Sequence, residues 1–191
     1  MNELQFDKYL NIIKEKLSLE RLNHSISVSL TAANLSFYYN QDVEKSLIAG
    51  LLHDICKPLN LEECKSLGQK YNFTFDDEDI KSPQVLHGII GAEYVKNELL
   101  IDDENIYYAI KNHTIGRPNM REIEKIIYVA DYIEPLRDDD NRLKNIRLLA
   151  YTNINKCVYY ITKEIIDFLK NKNLYIHSNT INTFMFYEKY K

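Results

Sequence analysis

Apolar residues recur along this chain with the three-and-four spacing of an α-helix. Phe6, Tyr9, Leu10, Ile13 and Leu17 predict a first amphipathic helix. Ile26, Leu30, Ala33 and Phe37 predict a second that starts near Leu22, with His24 in its opening turn. Val43, Leu47, Gly50 and Leu51 mark a third, which runs into His53-Asp54 and stops before Pro58, because proline lacks the N–H a helix needs. Residues 60–82 read as a short helix and an acidic run, Asp76-Asp77-Glu78-Asp79, that serves as a solvated connection. Pro83 precedes a helix striped by His87, Ile90, Gly91 and Tyr94, and Asp102-Asp103 cap another that carries Ile106 and Ile110 to His113. Thr114 to Asn119, with Gly116 and Pro118, breaks the periodicity and predicts a turn. Ile123, Ile126, Ile127 and Ala130 define a helix through Asp131 that ends at Pro135, and Arg137 to Asn141 reads as a charged loop. Val158, Ile161, Ile165 and Phe168 mark a long C-terminal helix, and Ser178 to Thr180 offer an N-cap for a short last one. With no repeat or linker in view, the pattern predicts one all-α domain over 1–191. Its core spans about 20–140, and its C-terminal helices 145–191.

The polar residues that fall on these stripes change the picture. Asp54 continues the stripe of Val43 to Leu51, and Asp131 follows Ile127 by four residues. His87 and His113 lie on apolar stripes as well, and His24 and His53 complete the set. An unpaired carboxylate facing a core costs several kcal/mol or neutralises itself, whereas a cation shared with imidazoles from other helices removes the penalty. Taken singly, each residue has a plainer reading. A stripe histidine is a hydrogen-bonded core residue, Asp54 pairs with Lys57, and Asp131 pairs with Arg137. Together they require several independent buried polar accidents in one chain, and a helical metal-dependent hydrolase explains them at once.

Composition narrows the classes. The 191 residues suffice for one domain with a substantial core, and 5 Gly and 4 Pro fit a helical chain. A net charge of -4 argues against a general nucleic-acid binder, which shows a basic face. It leaves a nucleotide substrate open, because a bound metal supplies local positive charge. Cys56, Cys64 and Cys157 are odd in number and form no CxxC pair, which suits free thiols in a reducing cytoplasm. No apolar run approaches membrane-spanning length, and the start of the chain lacks an apolar signal core. The expectation is a cytoplasmic protein with no membrane partner.

Imidazole and carboxylate without thiolate suit Fe, Mn, Co or Zn better than Mg or Ca. Asp54 has two oxygens and can bridge two ions, one completed by His24, His53 and Asp131, the other by His87 and His113. Such ions, ~3.5–4 Å apart, activate water and clamp a phosphoryl group in in-line displacement. Lys57, one helical turn after Asp54, supplies a point charge for a polyanion, and Arg117 and Arg137 supply planar forks. His177 lies among loop residues and reads equally well as structural or functional.

The order His24, His53-Asp54, His87, His113, Asp131 resembles that of the HD-domain metal-dependent phosphohydrolases. An adjacent His–Asp pair arises by chance in about one such chain in three, so the pair alone decides little. More specific is the run from His113-Thr114-Ile115-Gly116-Arg117-Pro118-Asn119-Met120 through Glu124 to Pro135 and Arg137. With Ala49 to Asp54, Lys57 and Leu86-His87-Gly88, it is similar to the branch of symmetrical dinucleoside-tetraphosphate hydrolases over about residues 20–180. The chain departs from that pattern at Leu136 and Ser178. The resemblance implies an HD-type helical bundle in which His24, His53, Asp54 and Asp131 bind iron or a similar metal. It implies that His87, His113, Thr114 and Arg137 contact the phosphates of an ADP- or GDP-like product. It also places Arg21, Leu22 and Asn23 beside the nucleotide, closes Tyr175, Ile176, His177 and Thr180 over it, and implies a homodimer. Asp54, Lys57, His87, His113 and Arg137 are the residues expected to carry catalysis. The expected reaction is cleavage of diadenosine tetraphosphate at its central anhydride to two ADP. A 5'-nucleotidase or cyclic-nucleotide phosphodiesterase is a second reading, and a nucleotide-sensing module without activity a third.

Overall fold

A computed structural model describes residues 3–137 and 140–191, and among them every regular element is helical. The order is α1 (Glu3–Lys16), α2 (Leu19–Tyr38), α3 (Val43–Leu52), α4 (Leu61–Lys70), α5 (Asp77–Lys81), a 3₁₀ turn (Pro83–Val85) and α6 (Leu86–Asn97). Then come α7 (Glu104–Asn112), α8 (Glu122–Ile133), α9 (Asn141–Ala150), α10 (Ile154–Asn171) and α11 (Ser178–Tyr187), with a 3₁₀ turn (Glu188–Tyr190) last. Val28, Leu35, Leu51, Ile90, Ile110, Ile126, Ile127 and Ile161 are wholly buried where α2, α3, α6, α7, α8 and α10 meet. Burial of such side chains, each worth about 1.5–3 kcal/mol, drives the assembly. Among the described residues no helix is long and apolar enough to cross a membrane.

The packing of α2 on α3 sets the geometry that matters most, and there the apolar stripe expected for α2 is corrected. Its buried face is His24, Ser25, Val28, Ser29, Ala32, Leu35 and Ser36, while Leu30 and Phe37 stand 55% and 79% exposed. Small residues win because the helices nearly touch: a Cβ on Gly50 would lie 2.8 Å from the Cα of Ser29. Two of the buried serine hydroxyls are satisfied across the same seam, Ser29 Oγ donating to the Leu47 carbonyl at 2.8 Å and Ser36 Oγ to Ser46 Oγ at 2.5 Å.

Three local expectations also change. The acidic run is more than a solvated connection. Asp76 caps α5 in a reciprocal box with Asp79, and Asp79 is buried with an oxygen 3.3 Å from His177 Nε2. The cap of α11 is His177, whose Nδ1 accepts from the Asn179 N–H, rather than Ser178. The loop expected over Arg137 to Asn141 includes Asp138 and Asp139, which lie outside the described residues, and Asn141 already begins α9 behind its N-cap Asp140. The helix α9 itself, on the short stripe Leu143, Ile146 and Ala150, was not among the expected elements.

The α2–α3 seam makes a prediction. Gly50→Leu places a side chain on the backbone of Ser29, and should destabilise the fold by ~1–3 kcal/mol. At about 2–4 °C per kcal/mol for a chain of this size, thermal unfolding should show a drop of several degrees. An unchanged midpoint would mean that the helices are not so close.

Candidate metal centre

Five chain segments bring the singled-out residues together, three of them at helix C-termini. His53 is the C-cap of α3 and Asp54 follows it in the turn; His113 is the C-cap of α7; Asp131 lies in the last turn of α8. The carbonyl ends of three helices therefore face one point, and their dipoles favour a cation there. His24 enters from the first turns of α2 and His87 from the start of α6. Gly88 makes room for this meeting, since a Cβ there would sit 3.0 Å from His113 Cε1.

Asp54 is the hub, 2% exposed. Its Oδ2 lies 3.6 Å from His53 Nε2 and 3.9 Å from His24 Nε2. Its Oδ1 lies 3.0 Å from His87 Nε2 and 3.7 Å from His113 Nε2. Asp131 Oδ1 completes the first side, 3.1 Å from His24 Nε2 and 3.9 Å from His53 Nε2. His87 Nε2 and His113 Nε2 are 3.1 Å apart, a separation at which two imidazole nitrogens share either one proton or one cation.

The ring tautomers follow from the far nitrogens. His53 Nδ1 donates to the Gly50 carbonyl and His113 Nδ1 to the Ile110 carbonyl, each at 2.7 Å, and a carbonyl can only accept. Both rings therefore turn an Nε2 lone pair inward. His24 Nε2, His53 Nε2 and Asp54 Oδ1 are buried without a hydrogen-bond partner. Such orphans are rare in folded proteins, and these share one spot. A divalent ion fits: His24, His53 and Asp131 present ligand atoms within 4.8 Å of one another, as do His53, Asp54 and His113.

Charge is distributed to match. Burial pushes the imidazoles of His53 and His87 down to about 4, so both are neutral and able to ligate near pH 7. Burial would raise the Asp54 carboxyl, but His53, His113 and His87 around it hold it far below the usual carboxylate range. Asp131 is likewise depressed against its burial by His24, His53, His113 and Arg137. His24 goes the other way. Burial lowers it, and Asp131, Glu134 and Asp54 together raise it above its ordinary value.

Basic groups border the cluster. Arg21 Nη1 lies 3.0 Å from Asp54 Oδ2, and Arg137 Nη2 2.9 Å from Asp131 Oδ1. Lys57 Nζ is 3.3 Å from His87 Nε2 and 4.0 Å from Asp54 Oδ1. Two cavities open beside them. One of about 390 Å³ is polar and lined by Arg21, Asn23, His24, Glu134 and Arg137. The other, about 270 Å³, touches Lys57, His113, Thr114 and Asp131 and is walled by Tyr128, Tyr132, Ile161, Ile165, Phe168 and Tyr175, with His177 and Thr180 at its edge. An apolar body with a few polar groups suits a nucleoside.

Not every expected residue comes to this place. The Nε–Nη2 edge of the Arg117 guanidinium donates to both oxygens of Glu124, at 2.7 and 2.5 Å, and Arg117 lines neither cavity. Leu22 packs against the core, and Ile176 lines neither cavity. Conversely, Glu134 and Ser82 were not singled out. Glu134 is buried, with Oε1 3.2 Å from His24 Nδ1, and its position three residues after Asp131 was the available signal. Ser82 Oγ is buried, unpartnered and part of the apolar cavity's lining, and nothing in the sequence marks it.

The depressed imidazoles predict a pH dependence for protein stripped of metal. His53 and His87 protonate near 6.5 when unfolded and near 4 when folded, so between those values the unfolded chain binds more protons. Stability should be full above about 6.5 and fall as pH drops towards about 4, with the raised His24 opposing part of the change. Depressed Asp54 and Asp131 extend the loss below the ordinary carboxylate value. Melting temperatures of chelator-treated protein check this, and a flat profile from pH 7 to pH 4 would contradict it.

Comparison with known proteins agrees with this geometry. The HD domain model matches residues 21–136, which include all six cluster residues. The chain is 36% identical over 186 residues to the symmetrical bis(5'-nucleosyl)-tetraphosphatase of Staphylococcus aureus, covering 96% of this chain and 95% of that one. It is 36% identical over 177 residues to the protein of the same name from Halalkalibacterium halodurans, covering 93% and 94%. A solved structure from Clostridium acetobutylicum, described as a predicted HD superfamily hydrolase involved in NAD metabolism, superposes with a TM-score of 0.93 at 38% identity, covering 97% of this chain and 98% of that one. The chain belongs to the HD-domain family, on the branch that holds these symmetrical bis(5'-nucleosyl)-tetraphosphatases.

Proposed function

We propose that this protein hydrolyses dinucleoside tetraphosphates symmetrically, taking diadenosine tetraphosphate and one water to two ADP. One observation carries the reading: Asp54 turns one oxygen to each of two histidine groups at the spot where a nucleoside-sized cavity opens. The names of the relatives support the substrate class.

In this reading His24, His53, Asp54 and Asp131 hold a divalent metal, with His87 and His113 framing a second position beside Asp54 Oδ1. Iron is our first choice among Fe, Mn, Co and Zn, supported by a donor set of imidazole and carboxylate. When bound, such an ion acidifies a water and polarises the phosphoryl oxygens. The protein's own side chains do the rest. Neutral His53 keeps its lone pair inward because its Nδ1–H is fixed on Gly50. The leaving ADP departs as an anion and needs cationic neighbours, which Arg137 and Lys57 supply. Both are partly exposed at the rim and lie within 4.0 Å of the cluster carboxylates. Thr114 Oγ1 is buried and unpartnered beside the apolar cavity, a free donor for a phosphate oxygen. Tyr175, His177 and Thr180 close the nucleoside side, anchored by Tyr175 Oη donating to Glu78 Oε1 at 2.8 Å and by His177 on Asp79.

We read the protein as cytoplasmic from its three free cysteines. We also read it as a homodimer, supported by the apolar Leu30 and Phe37 that α2 leaves exposed.

The test is chromatography of early products after metal restoration. Diadenosine tetraphosphate should give ADP alone, and ATP should be a poor substrate because it lacks the second nucleoside half. Equal ATP and AMP would mean a shifted register. Rapid hydrolysis of nucleoside monophosphates with the dinucleotide untouched would favour a nucleotidase, and tight nucleotide binding without turnover a sensor.

A further inference from the structure

Glu134 is a buried acid, 2% exposed, that meets the cluster at His24. It closes α8 as its C-cap, and its own N–H is fixed on the Ala130 carbonyl at 3.0 Å. From there its two carboxylate oxygens do different work. Oε1 lies 3.2 Å from His24 Nδ1, and Oε2 accepts the Leu136 N–H at 2.7 Å. Burying a carboxylate requires that its lone pairs be answered, and here they are answered by one ring and one turn.

We propose that Glu134 is a positioning residue that fixes His24 in its ligating tautomer and ties that ring to the turn carrying Arg137. The inference rests on the metal-binding reading of the cluster. Glu134 Oε1 accepts from Nδ1–H, so that with a cation among Nε2, Asp131 Oδ1 and Asp54 Oδ2 the proton stays on Nδ1 and Nε2 is the nitrogen left to ligate. His53 and His113 need no such partner from elsewhere, since each donates to a carbonyl three residues back in its own helix. His24 alone of these three is oriented by a side chain from another helix. A carboxylate behind a ligating imidazole also strengthens it as a donor.

The second oxygen extends the effect. Leu136 is held by Glu134, and the next residue, Arg137, places its Nε 3.0 Å from the Asp131 carbonyl and 4.0 Å from Glu134 Oε1. The same acid thus sets a metal-side imidazole and a phosphate-side guanidinium against each other. Glu134 itself touches neither substrate nor reacting atoms.

Glu134→Gln tests this, because it keeps shape and one acceptor oxygen but loses the charge. Titration of metal-free protein with Co2+, followed by calorimetry and ligand-field absorption, should show affinity weakened ~10–100-fold relative to native. The melting temperature of the metal-free variant should stay near native, and Glu134→Asp should recover part of the affinity. Native-like Co2+ affinity in Glu134→Gln would overturn the proposal, as would a variant that loses thermal stability without losing affinity when folded. A native protein that takes up no Co2+ would overturn the metal reading itself, and this inference with it.

Discussion

The carboxylate of Asp54 is almost wholly buried, and its charge must be answered inside the fold. Four imidazoles, one arginine and one lysine lie within 4.0 Å of it. Two of those imidazoles, His53 and His87, are held neutral by burial and bring lone pairs rather than charge. Neutral rings facing an ionised acid leave room for a cation, and three inward atoms have no hydrogen-bond partner. The rest of the structure is arranged around this requirement. Three helix C-termini end on the site, and Gly88 is small enough to seat His113.

That arrangement depends on packing some distance from the chemistry. The near contact of α2 with α3 at Gly50 and Ser29 brings His24 and His53 to a ring separation of 5.2 Å. The same closeness explains why α2 shows its larger apolar residues to solvent. A helix that must approach a neighbour at backbone distance buries serine and alanine, and the hydroxyls of Ser29 and Ser36 find partners across the seam.

How much of this was legible in the sequence depends on the type of signal. The helices with strong stripes were legible, and so were the six cluster residues, because a polar group on an apolar stripe is a local pattern. The buried face of α2 was not, because hydrophobicity selects Leu30 and Phe37 whereas close packing selects Ser29 and Ala32. Arg117 could not be separated by pattern from Arg137. Only the fold shows that Glu124 takes the first in a two-bond pair, while the second lies beside Asp131. The pairing of Asp79 with His177 spans 98 residues, and no local spacing announces such a contact. Glu134 sat within a recognisable string but gains meaning only from the ring it faces.

Metal content measured on Asp54→Ala tests the central claim most directly. The account predicts that native protein purified anaerobically carries one or two equivalents of a transition metal, and that the variant keeps its helical circular dichroism but binds essentially none. An Asp54→Ala protein with native metal occupancy would contradict it, since the hub of the site would then be dispensable.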